Sequence, residues 1–170
     1  MRLVTPAVPR AAIDTEIRAA MYPGHAPARW ALPLLDALEA MAHGWQRVEL
    51  DEPDLAALWL PPHAGEACHG DTMPLGEGDQ GATVRAAHDW LSANAGAYAA
   101  ANPSCWGRIT CASRGPVSAI IVSPVAVGDR LKPHSSPLVV VDGFHRVLGY
   151  WLAGRRTCHA YMPVIATHID

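Results

Sequence analysis

The stretch from Leu138 to Gly154, LVVVDGFHRVLGYWLAG, decides how the fold is interpreted. It begins with a β-branched run ending at Val141, which is typical of a buried strand. After Asp142 and Gly143 the apolar residues recur at helical spacing, at Val147, Leu148, Trp151 and Leu152. Gly154 is the residue type preferred just past the end of a helix. The stretch therefore predicts a strand, a tight turn and a helix in direct succession.

The start of this predicted helix has the features of an anion site. The first turn of a helix leaves backbone amide hydrogens without partners and carries a partial positive charge. Gly143 would let the backbone approach a ligand closely, and Arg146 could hold a phosphate through two parallel hydrogen bonds. His145 could donate or shuttle a proton. Taken together, these residues favour a phosphate-binding turn.

A structural interpretation of the same residues stays open. Asp142 would cap the helix, His145 would satisfy a carbonyl, and Arg146 would pair with a surface acid. Each residue considered alone favours this interpretation, whereas their order in one strand, turn and helix favours the anion site.

Outward from this stretch, the chain predicts further helices and strands. Helices are predicted over 30–45 and 82–101, and strands over 46–50, 108–110, 117–122 and 157–165. Residues 61–81 predict a long loop, and residues 1–28 an arm laid over the core. Helices beside short strands predict a single α+β or α/β domain. We divide it into an N-terminal arm and helix (1–45) and a main domain (46–170).

Composition limits the classes of protein that fit. The 170 residues are 50% hydrophobic and 17% charged, which excludes wholesale disorder. No run is long enough to span a bilayer, and the N-terminus lacks the layout of a secretory signal, so we expect a cytoplasmic protein with no membrane partner. A net charge of −3 argues against a nucleic-acid partner. Lys132 is the only lysine, so a Walker-type phosphate loop is excluded.

The four cysteines predict no metal site. No Cys-x-x-Cys pair is present, and the two adjacent pairs, Cys68-His69 and Cys158-His159, are an awkward arrangement for zinc. Ordinary reduced thiols are the favoured interpretation.

The run Asp142-Gly143-Phe144-His145-Arg146 resembles the signature of the ParB/sulfiredoxin-like fold, which is an α+β fold. The resemblance covers about residues 106–166, and Gly115 to Val122 is similar to the strand that precedes the signature. It implies that Gly143, His145 and Arg146 contact nucleotide phosphates. It also implies that Asp142 organises the turn or makes a metal-bridged contact.

Departures from the family narrow the activity that the resemblance implies. Phe144 stands where sulfiredoxins have their nucleophilic cysteine, so repair of sulfinic acids is disfavoured. The chain stops at Asp170, before any helix-turn-helix domain of the partition proteins, so we expect no DNA clamp. The pattern is most similar to free serine kinases, which implies ATP or ADP (CTP as an alternative), Mg²⁺ and a small hydroxyl-bearing substrate.

The resemblance also implies a general base in a loop after the first strand. Glu66 is the first candidate, with His145 as a second catalytic residue. Other carboxylates lie close to Glu66 in the sequence: Asp51, Glu52, Asp54 and Asp71. His63, Cys68 and His69 could belong to a lid or a metal site, although solvent-facing loop residues are the default.

Three further features carry weaker predictions. Residues 76–81 spell G-x-G-x-x-G, but no strand precedes them and two acids would repel phosphate, so we interpret them as a flexible loop. Arg155 and Arg156 could neutralise an outer phosphate or lie in an exposed turn. The aromatic residues near the signature could stack on a base, with core packing favoured: Trp106, Tyr150 and Trp151.

Three functional classes therefore follow from the sequence. The first is a nucleotide-dependent phosphotransferase or nucleotide hydrolase. The second is a non-catalytic module that binds a nucleotide or a protein. The third is a secreted effector that uses the same site on a protein target.

Overall fold

The structure, a computed structural model, describes residues 1–19, 27–62, 81–128, 130–133 and 135–165. These residues form six helices and seven strands. In chain order they are β1 (Arg2–Thr5), α1 (Arg10–Ala19), α2 (Pro27–Met41), β2 (Ala42–Leu50), α3 (Glu52–Ala57), β3 (Trp59–Leu60), β4 (Ala82–Thr83), α4 (Val84–Ala101), α5 (Pro103–Arg114), β5 (Ile120–Ser123), β6 (Val139–Asp142), α6 (Phe144–Leu152) and β7 (Cys158–Ile165). None of these helices is long and apolar enough to cross a bilayer.

The strands form one mixed sheet in the order β1-β2-β7-β5-β6-β3-β4. Strand β5 pairs in parallel with β7 and antiparallel with β6, and β3 pairs in parallel with β6. The remaining neighbours are antiparallel. Helix α6 connects β6 to β7 across β5, which lies between them. A mixed sheet with parallel and antiparallel neighbours, packed with helices, is consistent with the predicted α+β class.

A hydrophobic core covers each face of the sheet, because successive residues of a strand point to opposite faces. Ala160 of β7 joins the core built with α3 to α6, and its neighbour Tyr161 joins the core built with α1 and α2. In α1, Ile13 and Ile17 are buried in this second core. The predicted N-terminal arm therefore includes a strand of the sheet and a packed helix. The boundary after residue 45 stays a prediction.

Several predicted elements are confirmed, with shifted ends. The helix predicted over 30–45 ends at Met41, because the chain enters β2 at Ala42. Trp45 matches the helical spacing of apolar residues, but it lies in strand β2 and its side chain is buried against the sheet's second core. It follows an irregularity in the pairing of β2 with β7 near Gly44, whose φ is +147°.

The strand predicted over 108–110 is wrong, because these residues lie within α5. Ile109 is one of three buried positions at helical spacing, with Cys105 and Ala112. The hydroxyl of Thr110 donates to the carbonyl of Trp106 at 2.9 Å, as a β-branched residue with a hydroxyl does inside a helix. Burial of one face of the helix outweighs the strand preference of two residues.

Candidate functional site

The junction between β6 and α6 is a tight turn that only glycine can make. Gly143 has a φ of +103°, a region that other residues rarely adopt. A Cβ atom at this position would also meet Cγ2 of Ile120 at 2.6 Å. The turn therefore brings the first turn of α6 directly against the start of β5. This is the predicted arrangement of strand, glycine and helix.

Arg146 is buried behind this turn, with its side chain 9% exposed. Its Nη1 atom donates to the carbonyl oxygen of Ala119 at 2.6 Å and to Oγ of Ser118 at 3.2 Å. Its Nη2 atom donates to a carboxylate oxygen of Asp142. Both terminal nitrogens are thus engaged inside the protein. The prediction that they also hold a phosphate stays a prediction. Arg146 fastens α6 to the ends of β5 and β6.

Asp142 has the organising role that the sequence suggested, but it does not cap the helix. Its carboxylate binds Arg146, and the N-cap residue of α6 is Gly143, which makes no side-chain cap. The alternative in which Arg146 pairs with a surface acid is also wrong, because Asp142 is only 16% exposed. Since Arg146 engages the carboxylate of Asp142, this side chain does not fit Mg²⁺ as a free carboxylate ligand would.

His145 is 7% exposed, and its ring meets the ring of Phe144 edge to face at 5.4 Å between centroids. Its predicted contact with a phosphate and its role in proton transfer stay predictions.

Sequence reasoning missed Ser118, which accepts from Arg146, and it considered Tyr150 only as an aromatic ring for stacking or core packing. The phenol oxygen of buried Tyr150 accepts from the amide of Ser118 at 2.9 Å and donates to its carbonyl at 3.1 Å. It also lies 3.3 Å from Oγ of Ser118, which is half-buried. Tyr150 follows Arg146 by four residues, so helical spacing could have placed both on one face of α6. No local signal links them to Ser118, which is 28 residues from Arg146.

Two arginines that follow α6 cover its aromatic rings. Arg155 lies over Tyr150, with 5.6 Å from Cζ to the ring centroid, and Arg156 lies over Trp151 at 4.3 Å. Tyr150 and Trp151 are buried, which confirms core packing over base stacking for both rings. Trp106 is partly buried and packs against the same core. Nη1 of Arg155 donates to the carbonyl of Gly115 at 2.8 Å, whereas Nε of Arg156 lies 3.5 Å from Glu52.

Glu16 of α1 reaches the same segment from the opposite face of the sheet. One carboxylate oxygen accepts from the amide of Ala119 at 3.1 Å, and the other accepts from the phenol of Tyr161. Burial, and then the Glu16 carboxylate, raise the pKa of Tyr161 to about 12. The backbone of Ala119 is therefore held by a carboxylate at its N–H group and by a guanidinium at its carbonyl.

The thiol beside this site is not activated. Burial raises the pKa of Cys158 to about 12, although the charge of Arg146 acts in the opposite direction. Cys105, Cys111 and Cys158 are thiols that form no disulfide among the described residues. Within the part of the chain that the structure describes, no three His, Cys, Asp or Glu side chains are grouped as a metal site requires.

Several predicted site residues lie outside the described residues. They are the candidate base Glu66, its alternative Asp71, and His63, Cys68 and His69. The same holds for residues 76–80 of the glycine-rich motif. Of the other candidate bases, Asp51 and Asp54 cap the start of α3 through reciprocal hydrogen bonds of 3.1 Å, and Glu52 lies in its first turn. These three carboxylates are thus part of a helix start.

Comparisons with known proteins place the chain in a family. A family model described as "Family of unknown function (DUF6309)" matches residues 29–167, so β1 and α1 precede the match. No curated protein and no solved structure matches the chain. Because the matched residues make up most of its length and include the turn at Gly143, the chain belongs to the family of unknown function DUF6309.

Proposed function

We propose that this chain binds a nucleotide through its phosphates, beside the turn between β6 and α6, and that it has the ParB/sulfiredoxin-like fold. One observation carries the proposal: the buried Arg146 guanidinium donates to Oγ of Ser118, a half-buried hydroxyl at the edge of the turn. A phosphate at this hydroxyl would lie beside the guanidinium of Arg146, whose other terminal nitrogen pairs with Asp142. Arg146 then acts as a positioning residue.

Arg155 supplies the cation that would contact the phosphate. Its side chain is half-buried and packs over the ring of Tyr150. The phenol oxygen of the same tyrosine contacts Ser118. Arg155 donates to a backbone carbonyl, and within the described residues no carboxylate lies within 4.0 Å of it. A guanidinium that has no carboxylate partner among the described residues, and that packs on the same tyrosine as a hydroxyl, matches the hydrogen-bonding needs of a phosphate group.

The activity that we propose is phosphoryl transfer from ATP or ADP to a small hydroxyl-bearing substrate, or hydrolysis of the nucleotide. Phosphoryl transfer depends on positioning and charge neutralisation, which Ser118, Arg146 and Arg155 would provide. The general base is proposed to be Glu66, with His145 as a second proton-transferring group.

The experiment is a calorimetric titration with ATP, ADP and CTP, each with and without Mg²⁺. Arg155→Met should weaken the affinity for the bound nucleotide roughly 10- to 100-fold, because it removes a charge-assisted hydrogen bond. Arg114→Met, at an exposed position in the last turn of α5, is the matched control and should leave the affinity unchanged. Absence of heat with every nucleotide would refute the proposal, and so would equal affinity loss in both variants.

A second candidate, a non-catalytic binding module, is favoured by the engagement of Asp142 with Arg146, which leaves the turn without a free carboxylate. The two candidates differ in turnover. If the wild type binds ATP but forms no ADP with any hydroxyl-bearing metabolite or with water, the binding module is correct. Formation of ADP that is lost in Glu66→Gln, with binding retained, supports the enzyme.

A further inference from the structure

Arg47 is a half-buried cation on the face of the sheet that α1 and α2 cover. It stands opposite Tyr161 in the pairing of β2 with β7, and its Cζ lies 5.8 Å from the centroid of that ring. Its Nη2 atom is 2.9 Å from Nδ1 of His159. Its Nε atom is enclosed by protein and finds no hydrogen-bond partner among the described residues. Toward those residues, one of the five donors of this guanidinium is thus used.

Within the described residues, Arg47 has no carboxylate partner. Arg2 binds Glu49 at 3.0 Å and Arg10 binds Asp14 at 2.8 Å, whereas no described carboxylate lies within 4.0 Å of Arg47. A guanidinium can only donate, so in this contact Nδ1 of His159 is the acceptor. A half-buried cation without a carboxylate partner costs free energy unless an anion or water solvates it.

We propose that Arg47 binds the carboxylate of a small-molecule ligand, at a site separate from the turn after β6. The remaining donors on the two terminal nitrogens lie in one plane and match the two oxygens of a carboxylate. His159, which contacts one of these nitrogens, has a side chain that is 39% exposed. Two carboxylates face the same neighbourhood, Glu49 at 3.7 Å from His159 and Glu16 at the phenol of Tyr161. Their negative charges favour a singly charged ligand over a dianion.

The test uses acetate as the probe and the side-chain Nε–H resonance of Arg47 as the readout. The whole protein is titrated with acetate to high millimolar concentration, and chloride keeps the ionic strength constant. We expect a saturable shift of the Arg47 resonance and a smaller response to inorganic phosphate at a pH where it is a dianion. An unmoved resonance overturns the proposal, and a stronger response to phosphate overturns the carboxylate class.

Two variants separate a site from a general response to anions. Arg47→Lys keeps the charge but loses the planar fork, so acetate affinity, followed at the His159 imidazole, should fall at least about tenfold. Arg2→Lys, on the exposed edge strand, is the matched control and should bind acetate as the wild type does. Equal affinity in wild type and Arg47→Lys contradicts the proposal. If Arg47→Lys does not fold, the wild-type titration decides the question.

Discussion

At the residue scale, the pair of Asp142 and Arg146 shows how one ion pair can join three elements. Asp142 is the last residue of β6, and Arg146 lies in α6. One terminal nitrogen of Arg146 donates to Asp142, and the other donates to the carbonyl of Ala119, just before β5. Neither charge is well solvated, so each depends on the other for compensation. Asp142 and Arg146 therefore have a structural role. Arg146 also donates to the hydroxyl of Ser118, which is half-buried and so partly open to solvent.

This mutual dependence predicts a strongly non-additive double mutant. Arg146→Met and Asp142→Asn should each lower the free energy of unfolding by about 3–5 kcal/mol, because each leaves a poorly solvated charge without its partner. The double variant should cost less than the sum of the two single changes. Urea denaturation of the four proteins measures all these values. Strict additivity would mean that the two side chains contribute independently.

Tyr161 predicts how stability changes at alkaline pH. Its pKa rises from 10.0 to about 12 in the folded protein, so the protonated phenol is favoured by folding. Its contribution is fully present below pH 10 and is lost as the pH rises from about 10 towards 12, because the unfolded chain releases this proton first. The loss should be on the order of 1–2 kcal/mol.

The measurement compares urea denaturation of wild type and Tyr161→Phe between pH 9 and pH 12. The variant lacks this phenol, so its stability should fall less steeply with pH than that of the wild type. Glu16→Gln should also flatten the dependence, because it removes the charge that helps to keep Tyr161 protonated. Identical slopes in all three proteins would show that Tyr161 ionises equally in the folded and unfolded states.

At the scale of elements, helices α5 and α6 cross at Gly149, where no side chain fits. A Cβ atom there would meet the carbonyl oxygen of Ile109 at 2.5 Å and Cβ of Ala112 at 2.8 Å. The contact lies three residues after Arg146 along α6, so it fixes how closely α5 packs against the helix that carries Arg146. Glycine is required here by close approach of two backbones, since its φ is not in the left-handed region.

Gly149→Ala should therefore lower the free energy of unfolding by about 1–3 kcal/mol, through overpacking between the helices. Gly107→Ala is the matched control, because a Cβ atom at this exposed position in α5 meets nothing within 4 Å. That change should stabilise the protein by about 0.5–1 kcal/mol, since alanine has the better helix propensity. Thermal or urea denaturation reads both values. A neutral Gly149→Ala would mean that the helices can separate freely.

The elements that the sequence predicts well are those whose signals are local. The sequence itself marks where strand β6 ends, where the turn at Gly143 lies and where helix α6 ends, shortly before a glycine. The strand after Thr157 is likewise recognisable from its own residues. The strand expected at 108–110 failed because propensity competed with the burial of a helix face that only the tertiary fold defines. The glycine at 143 was predictable from the turn, whereas the need for Gly149 depends on another helix.

The candidate site could be predicted only in part for the same reason. Asp142 precedes Arg146 by four residues, at the end of the strand that leads into the helix, so the local sequence brings the two side chains close together. The pairing of Arg146 with Ala119, and of Ala119 with Glu16, connects segments 27 and 103 residues apart. No pattern in one sequence reveals such pairings, because they follow from the order of strands in the sheet.

At the scale of the whole molecule, one sheet separates two cores and supports both. Strand β5 contributes Ile120 and Val122 to the core with α3 to α6, and Ile121 between them to the core with α1 and α2. Arg146 and Glu16 hold the start of the same strand from opposite faces. If either core is lost, β5 is no longer packed on one of its faces, and the other core loses the support of this strand. We expect the two halves of the molecule to unfold together.

This coupling predicts the behaviour of two core variants, Leu38→Ala and Leu91→Ala, each at a fully buried position in a different core. Each should lower the free energy of unfolding by about 2–5 kcal/mol. In hydrogen exchange measured across a urea series, peptides from α2 and α4 should lose protection at one common midpoint in each variant. Leu131→Ala, at a position 65% exposed, is the control and should not move that midpoint. If α2 lost protection at a lower urea concentration than α4 in Leu38→Ala, the two cores would unfold independently. The hydrogen bond from Ala119 to Glu16 would then not couple α1 to the turn between β6 and α6.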